Sequence, residues 1–244
     1  MKITFLGTSH GAPEPGHFCT SVLIEHNGCH YLIDLGAPVE ALLVNRHFDF
    51  NTLKGVFITH MHADHTDALF SICKGFGVYH KEASADFFFP EEGVPDAVRA
   101  WHKTLHGSIP EDRFRMHITH EGVIFNENGL KVSAIRTEHI SPDVPSYAYL
   151  FETDTGKRVL FTGDLAYDYH DYPAVTRESD FDLVVSELTH CRADKAYDLL
   201  DAVRTKLMIF SHITPYSVRF VEENNISFHY PHVFAVDGFE YYVV

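Results

Sequence analysis

Short apolar runs alternate with polar, turn-rich segments along most of this chain, a pattern that predicts many short strands. Two β-rich runs at 20–25 and 30–35 flank Asn27-Gly28, which is a strong hairpin signal. The apolar run Gly55–Ile58 predicts a buried strand. Further strands are predicted over 3–6, 84–89, within 113–137, and over 147–152, 158–161, 182–187, 207–210 and 239–243.

Helical spacing is clearest through Val94, Val98, Trp101 and Leu105, with Pro95 in the first turn. Helices are predicted over 38–45, 67–74, 94–106, 192–204 and 214–224. The strand, helix and strand between 182 and 210 form a β-α-β unit. Because no low-complexity linker or composition break interrupts this pattern, we predict one domain over residues 1–244.

Composition supports a folded chain in a reducing compartment. The 45% hydrophobic content is enough for a core, and the four cysteines show no CxxC spacing, which favours free thiols over a disulfide frame. No apolar run has the length of a membrane span, and the first residues have the pattern of a strand rather than a signal peptide. We therefore expect a cytoplasmic protein with no membrane partner.

The charge balance is acidic, with 34 Asp and Glu against 19 Lys and Arg and a formal net charge of −15. Binding of a long polyanion depends on neutralising phosphates with basic side chains, and the sequence has no basic tract. The 19 histidines are far more than one metal site can use, so most of them have no chemical role.

Candidate chemistry is concentrated in T-H-M-H-A-D-H (59–65), directly after the strand predicted at 55–58. Burying such groups without partners costs several kcal/mol, so packing alone does not explain them. Imidazole and carboxylate suit zinc, iron or manganese. His60 and His62 can face one ion, and Asp64 and His65 can turn towards a second. The alternative is a solvated, histidine-rich loop.

Three more candidate ligands follow predicted strands: His139, Asp164 and His212. Each is ordinary alone, since a lone histidine or turn aspartate is more often structural or solvated. Together with the 59–65 segment, they indicate two metal ions bridged by a carboxylate.

These motifs together resemble the metallo-β-lactamase superfamily of binuclear hydrolases. The resemblance implies an α/β fold, a four-layer αββα sandwich with the metals at one edge. It spans nearly the whole chain and includes L-I-D-L-G (32–36), T-H-M-H-A-D-H (59–65), the histidine at 139, F-T-G-D (161–164) and S-H (211–212).

The resemblance also implies a ligand set. It places His60, His62 and His139 on one ion, Asp64, His65 and His212 on the other, and Asp164 between them. The expected cofactors are two divalent ions, zinc by preference, with manganese and iron as alternatives. Asp34 and Glu187 would orient the site without binding metal.

A narrower resemblance links the chain to the tRNase Z branch and its phosphodiesterase relatives. It includes F-L-G-T-x-x-G-x-P (5–13), P-S-Y-A-Y-L-F-E (145–152) and S-E-L-T (186–189). That branch typically has H-E-A-T where this chain has Ser186, so that catalytic histidine is not carried over. The acidic charge and the lack of a long insertion between Asp164 and Glu187 count against transfer RNA. We expect a small-molecule substrate, and the oligomeric state leaves a homodimer open.

The mechanism expected from these residues uses a metal-bridging hydroxide as the nucleophile. Asp64 could accept the proton of the attacking water, and His190 is the candidate acid for the leaving alkoxide. The alternative for His190 is a surface histidine that opens the next helix. Ser146 and Tyr147 could donate hydrogen bonds to a substrate phosphate, although Tyr147 could equally be a core aromatic residue.

The function predicted is a binuclear phosphodiesterase acting on small or cyclic phosphodiesters or on short nucleic-acid ends. Hydrolysis of a lactone or thioester is the enzymatic alternative, because metal hydroxide also attacks carbonyls. A non-catalytic metal-binding protein is the third possibility, and the complete set of seven ligands argues against it.

Overall fold

The computed structural model describes residues 1–244 and contains two seven-stranded mixed sheets. In spatial order, the first sheet consists of β14 (Glu240–Tyr242), β1 (Lys2–Gly7), β2 (Ser21–His26), β3 (Cys29–Ile33), β4 (Leu53–Phe57), β5 (Ala85–Phe89) and β6 (Phe114–Ile118). The second consists of β13 (His232–Phe234), β12 (Met208–Phe210), β11 (Leu183–Ser186), β10 (Arg158–Phe161), β9 (Val144–Thr153), β8 (Leu130–Ser141) and β7 (Gly122–Glu127).

Helices cover the outer faces of both sheets. They are α1 (Val39–Asn45), α2 (Ala63–Thr66), α3 (Leu69–Lys74), α4 (Val94–Thr104), α5 (Val175–Glu178), α6 (Tyr197–Asp201) and α7 (Pro215–Glu223). No helix combines the length and the apolar character that a membrane span needs.

Three apolar layers hold this arrangement together, and strand alternation produces them. In β4, Phe57 packs between the two sheets, whereas Val56 packs outward against the layer that contains Leu43 of α1 and Val98 of α4. In the second sheet, neighbours along β11 likewise divide between the central layer and the layer under α6 and α7. The expected αββα sandwich is thus confirmed.

Strand direction explains why polar residues collect at one edge. β3 runs parallel to β4, and β10, β11 and β12 are parallel to one another. The carboxyl ends of parallel strands share one edge of a sheet, the usual place for a site in open α/β folds. The segments after β4, β10, β11 and β12 therefore meet there.

Most predicted elements are present, including the 21–33 hairpin, and three differ. The helix predicted over 192–204 is only α6: the residues before Tyr197 form turns, and beyond Asp201 the chain leaves the helical path, with Arg204 N–H donating to Thr176 O at 2.8 Å. The helix predicted over 67–74 is α3, which begins at Leu69, and the preceding helix α2 lies in the segment that was predicted only as a source of ligands. The strand β13 was not predicted; it is only three residues long.

Candidate metal centre

The 60–65 segment follows β4 and enters the short helix α2, so its four candidate ligands point in different directions within six residues. His60 and His65 are fully buried and Asp64 is 7% exposed, whereas His62 is exposed. This segment therefore runs from the protein interior to the surface of the site.

Asp34 fixes the inner end of that segment. It adopts a positive φ of 58° directly after β3, a conformation that aspartate tolerates better than most residues. Asp34 Oδ1 accepts from Thr59 N–H at 2.8 Å, and its Oδ2 lies 2.7 Å from His65 Nδ1. The bond to Nδ1 turns His65 Nε2 towards the cluster, as an orienting carboxylate should.

Asp164 lies at the centre of the cluster. Its Oδ2 is 3.4 Å from both His65 Nε2 and His212 Nε2, and 3.7 Å from both His60 Nε2 and His139 Nε2. Gly163, with φ of +61°, makes this placement possible, since a Cβ there would lie 2.9 Å from Thr59 Cβ. One carboxylate oxygen is thus shared by imidazoles from both sheets.

Two groups of side chains surround Asp164. The His60 group consists of His60, His62 and His139, and the Asp64 group of Asp64, His65 and His212; the ligand atoms of each, with Asp164 added to the first, lie within 4.8 Å of one another. In the His60 group, His139 Nε2 is 3.2 Å from His62 Nδ1. In the Asp64 group, His212 Nε2 is 3.2 Å from Asp64 Oδ2.

These residues fit divalent cations. A tetrahedral ion with nitrogen and oxygen ligands at about 2.0–2.1 Å separates neighbouring ligand atoms by about 3.3–3.4 Å. Seven separations between ligand atoms in the two groups run from 3.2 to 3.7 Å, and the ligand atoms of each group all lie within 4.8 Å of one another. Moreover, His60 Nε2, His65 Nε2 and Asp164 Oδ1 are buried without a hydrogen-bond partner. Buried polar atoms without partners are costly, and a cation would satisfy the two imidazole nitrogens.

Charge in the cluster favours metal-binding forms of several ligands. Burial holds the pKa of His60 well below its ordinary value, so its imidazole is neutral. Burial opposes ionisation of Asp164, but nearby His212 and His65 outweigh it and hold its pKa well below the usual range. The carboxylates of Asp164 and Asp34 overcome burial at His65 and raise its pKa, so a cation at Nε2 would replace a proton there.

The two predicted substrate contacts are buried beside the site. His139 Nδ1 lies 3.0 Å from Leu165 O, which leaves Nε2 facing the cluster. Ser146 is buried, and its Oγ accepts from His139 N–H at 3.2 Å. Tyr147 is also buried and donates to Thr119 O, after β6, at 3.1 Å. We therefore assign Ser146 to support of His139 and Tyr147 to a contact between the two sheets, rather than to substrate contact.

His190 and Glu187 form a pair at the mouth of the site. Buried Glu187 accepts from the backbone N–H groups of Leu165, Thr189 and His190, and its Oε1 lies 2.9 Å from His190 Nδ1. Burial alone would lower the pKa of His190, but the hydrogen bond and charge of Glu187 raise it to about 9. His190 Nε2 lies 3.9 Å from Asp164 Oδ2, so a protonated imidazole faces the cluster.

Sequence reasoning missed two supporting contacts. The Thr59 hydroxyl bonds to Asp34 at 2.9 Å, and Gly11 N–H donates to Asp64 Oδ2 at 2.8 Å. Thr59 lies inside the recognised motif, so its position was available as a signal. The amide of Gly11, 53 residues before Asp64, left no pattern in the spacing.

Fold and site together define the class of protein: a metallo-β-lactamase fold with a cluster of His and Asp side chains that could hold metal at one edge. The chain aligns over its full length with human tRNase Z, short form (ELAC1), with a TM-score of 0.78, 17% identity and 100% of both chains covered. It also matches a diphosphatase of the PhnP family, with a TM-score of 0.71, 18% identity and 99% and 97% covered. Within the class, the chain belongs to the family described as anti-Pycsar protein Apyc1, whose model matches residues 1–228.

The curated relatives include Ribonuclease Z of Crocosphaera subtropica, 28% identical over 151 residues that cover 61% of this chain and 47% of the relative. The chain thus spans about half the length of the curated relatives it matches.

Our expectation about transfer RNA is wrong. The matched relatives include several named Ribonuclease Z, and human tRNase Z has the same fold over the whole chain. The physical error was to use net charge, which sums over the entire surface, whereas a substrate meets the local field of the site. Cations held by the cluster would also change the sign of that local field.

Proposed function

We propose that this chain is a binuclear metal-dependent phosphodiesterase that acts on small or cyclic phosphodiesters or on short nucleic-acid ends. One observation carries the proposal: Asp164 Oδ2 lies 3.4–3.7 Å from imidazoles of both the His60 group and the Asp64 group. A single oxygen in that position suits a bridge between two ions.

The His60 group would hold one ion, the Asp64 group the other, and Asp164 both. Imidazole and carboxylate donors without thiolate fit zinc, which we propose as the native metal, and also manganese and iron. Such ions, when bound, would supply Lewis acidity: they would lower the pKa of water towards about 7 and offset charge on a phosphoryl oxygen.

The chain's own groups manage the protons. Burial disfavours ionisation of Asp64, but hydrogen bonds with His212 and His65 outweigh it and keep its pKa below the usual range. Asp64 is therefore ionised and can accept a proton from the attacking water, which it passes on rather than retains. His190, with its pKa raised to about 9, carries a proton at neutral pH and can donate it to the leaving alkoxide.

Glu187 keeps His190 in the acidic form and in position. Three backbone N–H groups bind the Glu187 carboxylate, so it cannot rotate away from the imidazole. The His190 cation also offers a charge for a phosphate oxygen at the mouth of the site. An alkoxide leaving group needs such an acid, which favours an ester of phosphate with an alcohol.

Cleavage of transfer RNA at its 3′ end is the second candidate, because the curated relatives include Ribonuclease Z sequences. Lactone or thioester hydrolysis is the third, since metal-activated water attacks carbonyls as well. The same seven ligands serve all three, so substrate identity depends on groups around the cluster.

A substrate panel tests the proposal. The zinc-loaded protein is assayed on bis-p-nitrophenyl phosphate, cyclic mononucleotides, a precursor transfer RNA with a 3′ trailer, a lactone and a thioester. Turnover of the diesters that Asp164→Ala abolishes supports the phosphodiesterase. Cleavage confined to the precursor RNA would replace it with the second candidate, and turnover confined to the lactone or thioester with the third. Metal uptake without any hydrolysis would reject all three enzymes.

A further inference from the structure

The loop at 8–18, between β1 and β2, touches the metal centre. Gly11 N–H donates to Asp64 Oδ2 at 2.8 Å, the same oxygen that lies 3.2 Å from His212 Nε2 and 3.4 Å from His65 Nε2. Ligating carboxylates are commonly held by such hydrogen bonds, which set their orientation. The amide of Gly11 is therefore part of the environment of the Asp64 group.

The conformation of Gly11 makes this contact sensitive to the loop as a whole. Its φ is +52°, and no atom lies within 4 Å of the position where a Cβ would stand. No side chain therefore packs on that face of Gly11. The position of its amide depends on the hydrogen bonds that hold the loop, which include Ser9 N–H to Phe18 O at 2.8 Å near its ends and the backbone pair of Glu14 and His17 at 2.9 Å within it.

Asp237 fixes both ends. Thr8, which is fully buried, donates from Oγ1 to Asp237 Oδ1 at 2.7 Å. Phe18 N–H donates to Asp237 Oδ2 at 2.6 Å. Because the Thr8 hydroxyl gives its proton to Asp237, it accepts from His17 Nδ1, 3.0 Å away. One carboxylate from the C-terminal segment therefore joins the two ends of the loop. Its two hydrogen bonds, to Thr8 and Phe18, are called the clamp below.

The same clamp reaches the other side of the Asp64 group. Thr8 O accepts from the backbone N–H of Ile213 at 3.2 Å, and Ile213 directly follows His212. His212 itself has a positive φ of 53°, so its direction depends on the backbone around it. Asp237 is thus connected through Thr8 to His212 and through the loop to Asp64.

We propose that Asp237 is a positioning residue of the metal centre, which orients Asp64 and His212 by clamping the loop at 8–18. It lies beyond residues 1–228, the part that the family model matches. The inference rests on the proposed binuclear site. It is specific, because the loop reaches Asp64 through Gly11 and the residue after His212 through Thr8, whereas none of these contacts reaches the His60 group.

Metal titration of apo-protein tests this role without measuring turnover. Zn²⁺ is added to wild type, Asp237→Ala and Thr8→Val in competition with a chromophoric chelator, and melting temperatures are recorded in parallel. We expect Asp237→Ala to weaken one of the two ions by about 10–100-fold and the other by less than about twofold. Thr8→Val should act in the same direction, and the double variant should be no worse than Asp237→Ala alone, because both act through one clamp.

The matched control is Glu240→Gln. Glu240 lies on the same C-terminal segment but pairs with Lys2 at 3.0 Å and Arg46 at 3.6 Å, away from the loop. Both ions should bind this variant as they bind wild type.

Unchanged affinities in Asp237→Ala, or equal weakening of both ions with a lowered melting temperature, would overturn the inference. If Asp237→Ala does not fold, Thr8→Val decides by the same criteria. If wild type takes up only one ion, the binuclear proposal fails, and the inference is judged by whether that ion is weakened.

Discussion

The His60 group and the Asp64 group face the same carboxylate but are built differently. The His60 group has three imidazoles, one of them exposed, and burial lowers the pKa of His60 and His62. The Asp64 group is enclosed and includes a carboxylate, and its His65 imidazole is held by Asp34 from outside. Two ions at one centre would thus meet different charge and different access to water.

The difference teaches how each half of a binuclear site is specified. Each group takes two ligands from the 60–65 segment and its third from the second sheet, 77 residues from His62 in one group and 148 from Asp64 in the other. The Asp64 group has in addition two distant hydrogen-bond partners, Asp34 at 31 residues and Gly11 at 53. The motif therefore specifies half of both groups, and the fold supplies more of the support of the Asp64 group.

Removing the shared carboxylate should have the largest effect. We expect Asp164→Ala to lower kcat/KM for a diester by about three orders of magnitude or more, because it removes a ligand common to both groups. Steady-state kinetics and metal analysis measure this. The control Asp182→Asn changes a carboxylate of the same sheet that pairs with Lys206 at 2.7 Å. Retention of both ions and of rate in Asp164→Ala would remove the bridging role.

Replacing the acid at the mouth should affect rate but not metal. We expect His190→Gln to lower kcat by about 10²-fold for a diester with an alkoxide leaving group. The loss should be much smaller for p-nitrophenolate, which leaves without a proton. His229→Gln, an exposed histidine paired with Asp201 at 3.3 Å, is the control.

The leaving-group comparison also distinguishes a second role of His190. With Asp164 and His212, it forms a third set of possible metal ligands, whose ligand atoms lie within 4.8 Å of one another. An equal rate loss for both leaving groups, accompanied by loss of an ion, would make His190 a ligand rather than an acid.

Disturbing Asp34 should separate the two groups. Asp34→Asn weakens the hold on His65, so we expect metal affinity of the Asp64 group to fall by about tenfold to 100-fold. The other ion should be weakened less, because Asp34 reaches His60 only through the Thr59 hydroxyl, which lies 3.1 Å from His60 Nδ1. Asp86→Asn is a matched control, because Asp86 also bonds a histidine, His117 at 2.6 Å, outside the cluster. Competition titration with Zn²⁺ measures the affinities of both ions. Equal weakening of the two affinities would contradict the distinction between the groups.

The smallest effect concerns the order of metal loss. Because His62 is exposed and the Asp64 group is enclosed, a chelator should remove the ion of the His60 group first. Its removal should be about a few-fold faster than that of the ion in the Asp64 group. Stopped-flow release into a chromophoric chelator should therefore be biphasic. His62→Gln should accelerate only the fast phase; acceleration of the slow phase would reverse the assignment.

Much of the fold could be read from the sequence because alternation and turn residues are local signals. Asn27-Gly28 predicted its hairpin, and the apolar runs predicted most strands. The helix expected over 192–204 forms only over Tyr197–Asp201, with turns before it and a tertiary hydrogen bond from Arg204 after it, since tertiary context overrides helical spacing. The segment at 59–65 indicated a cluster from composition alone. Ser146 and Tyr147 were placed on the substrate side because sequence does not show which face of a strand is buried at its end.

Asp164 extends from the second sheet and meets His60 and His65 from the segment that follows the first. Along this edge the two halves of the sandwich are joined by polar groups instead of apolar contacts. Cations bound there would link the two sheets, and their binding free energy would add to the stability of the folded chain. The free energy of unfolding would then depend on the metal concentration around the protein, independently of any reaction it performs.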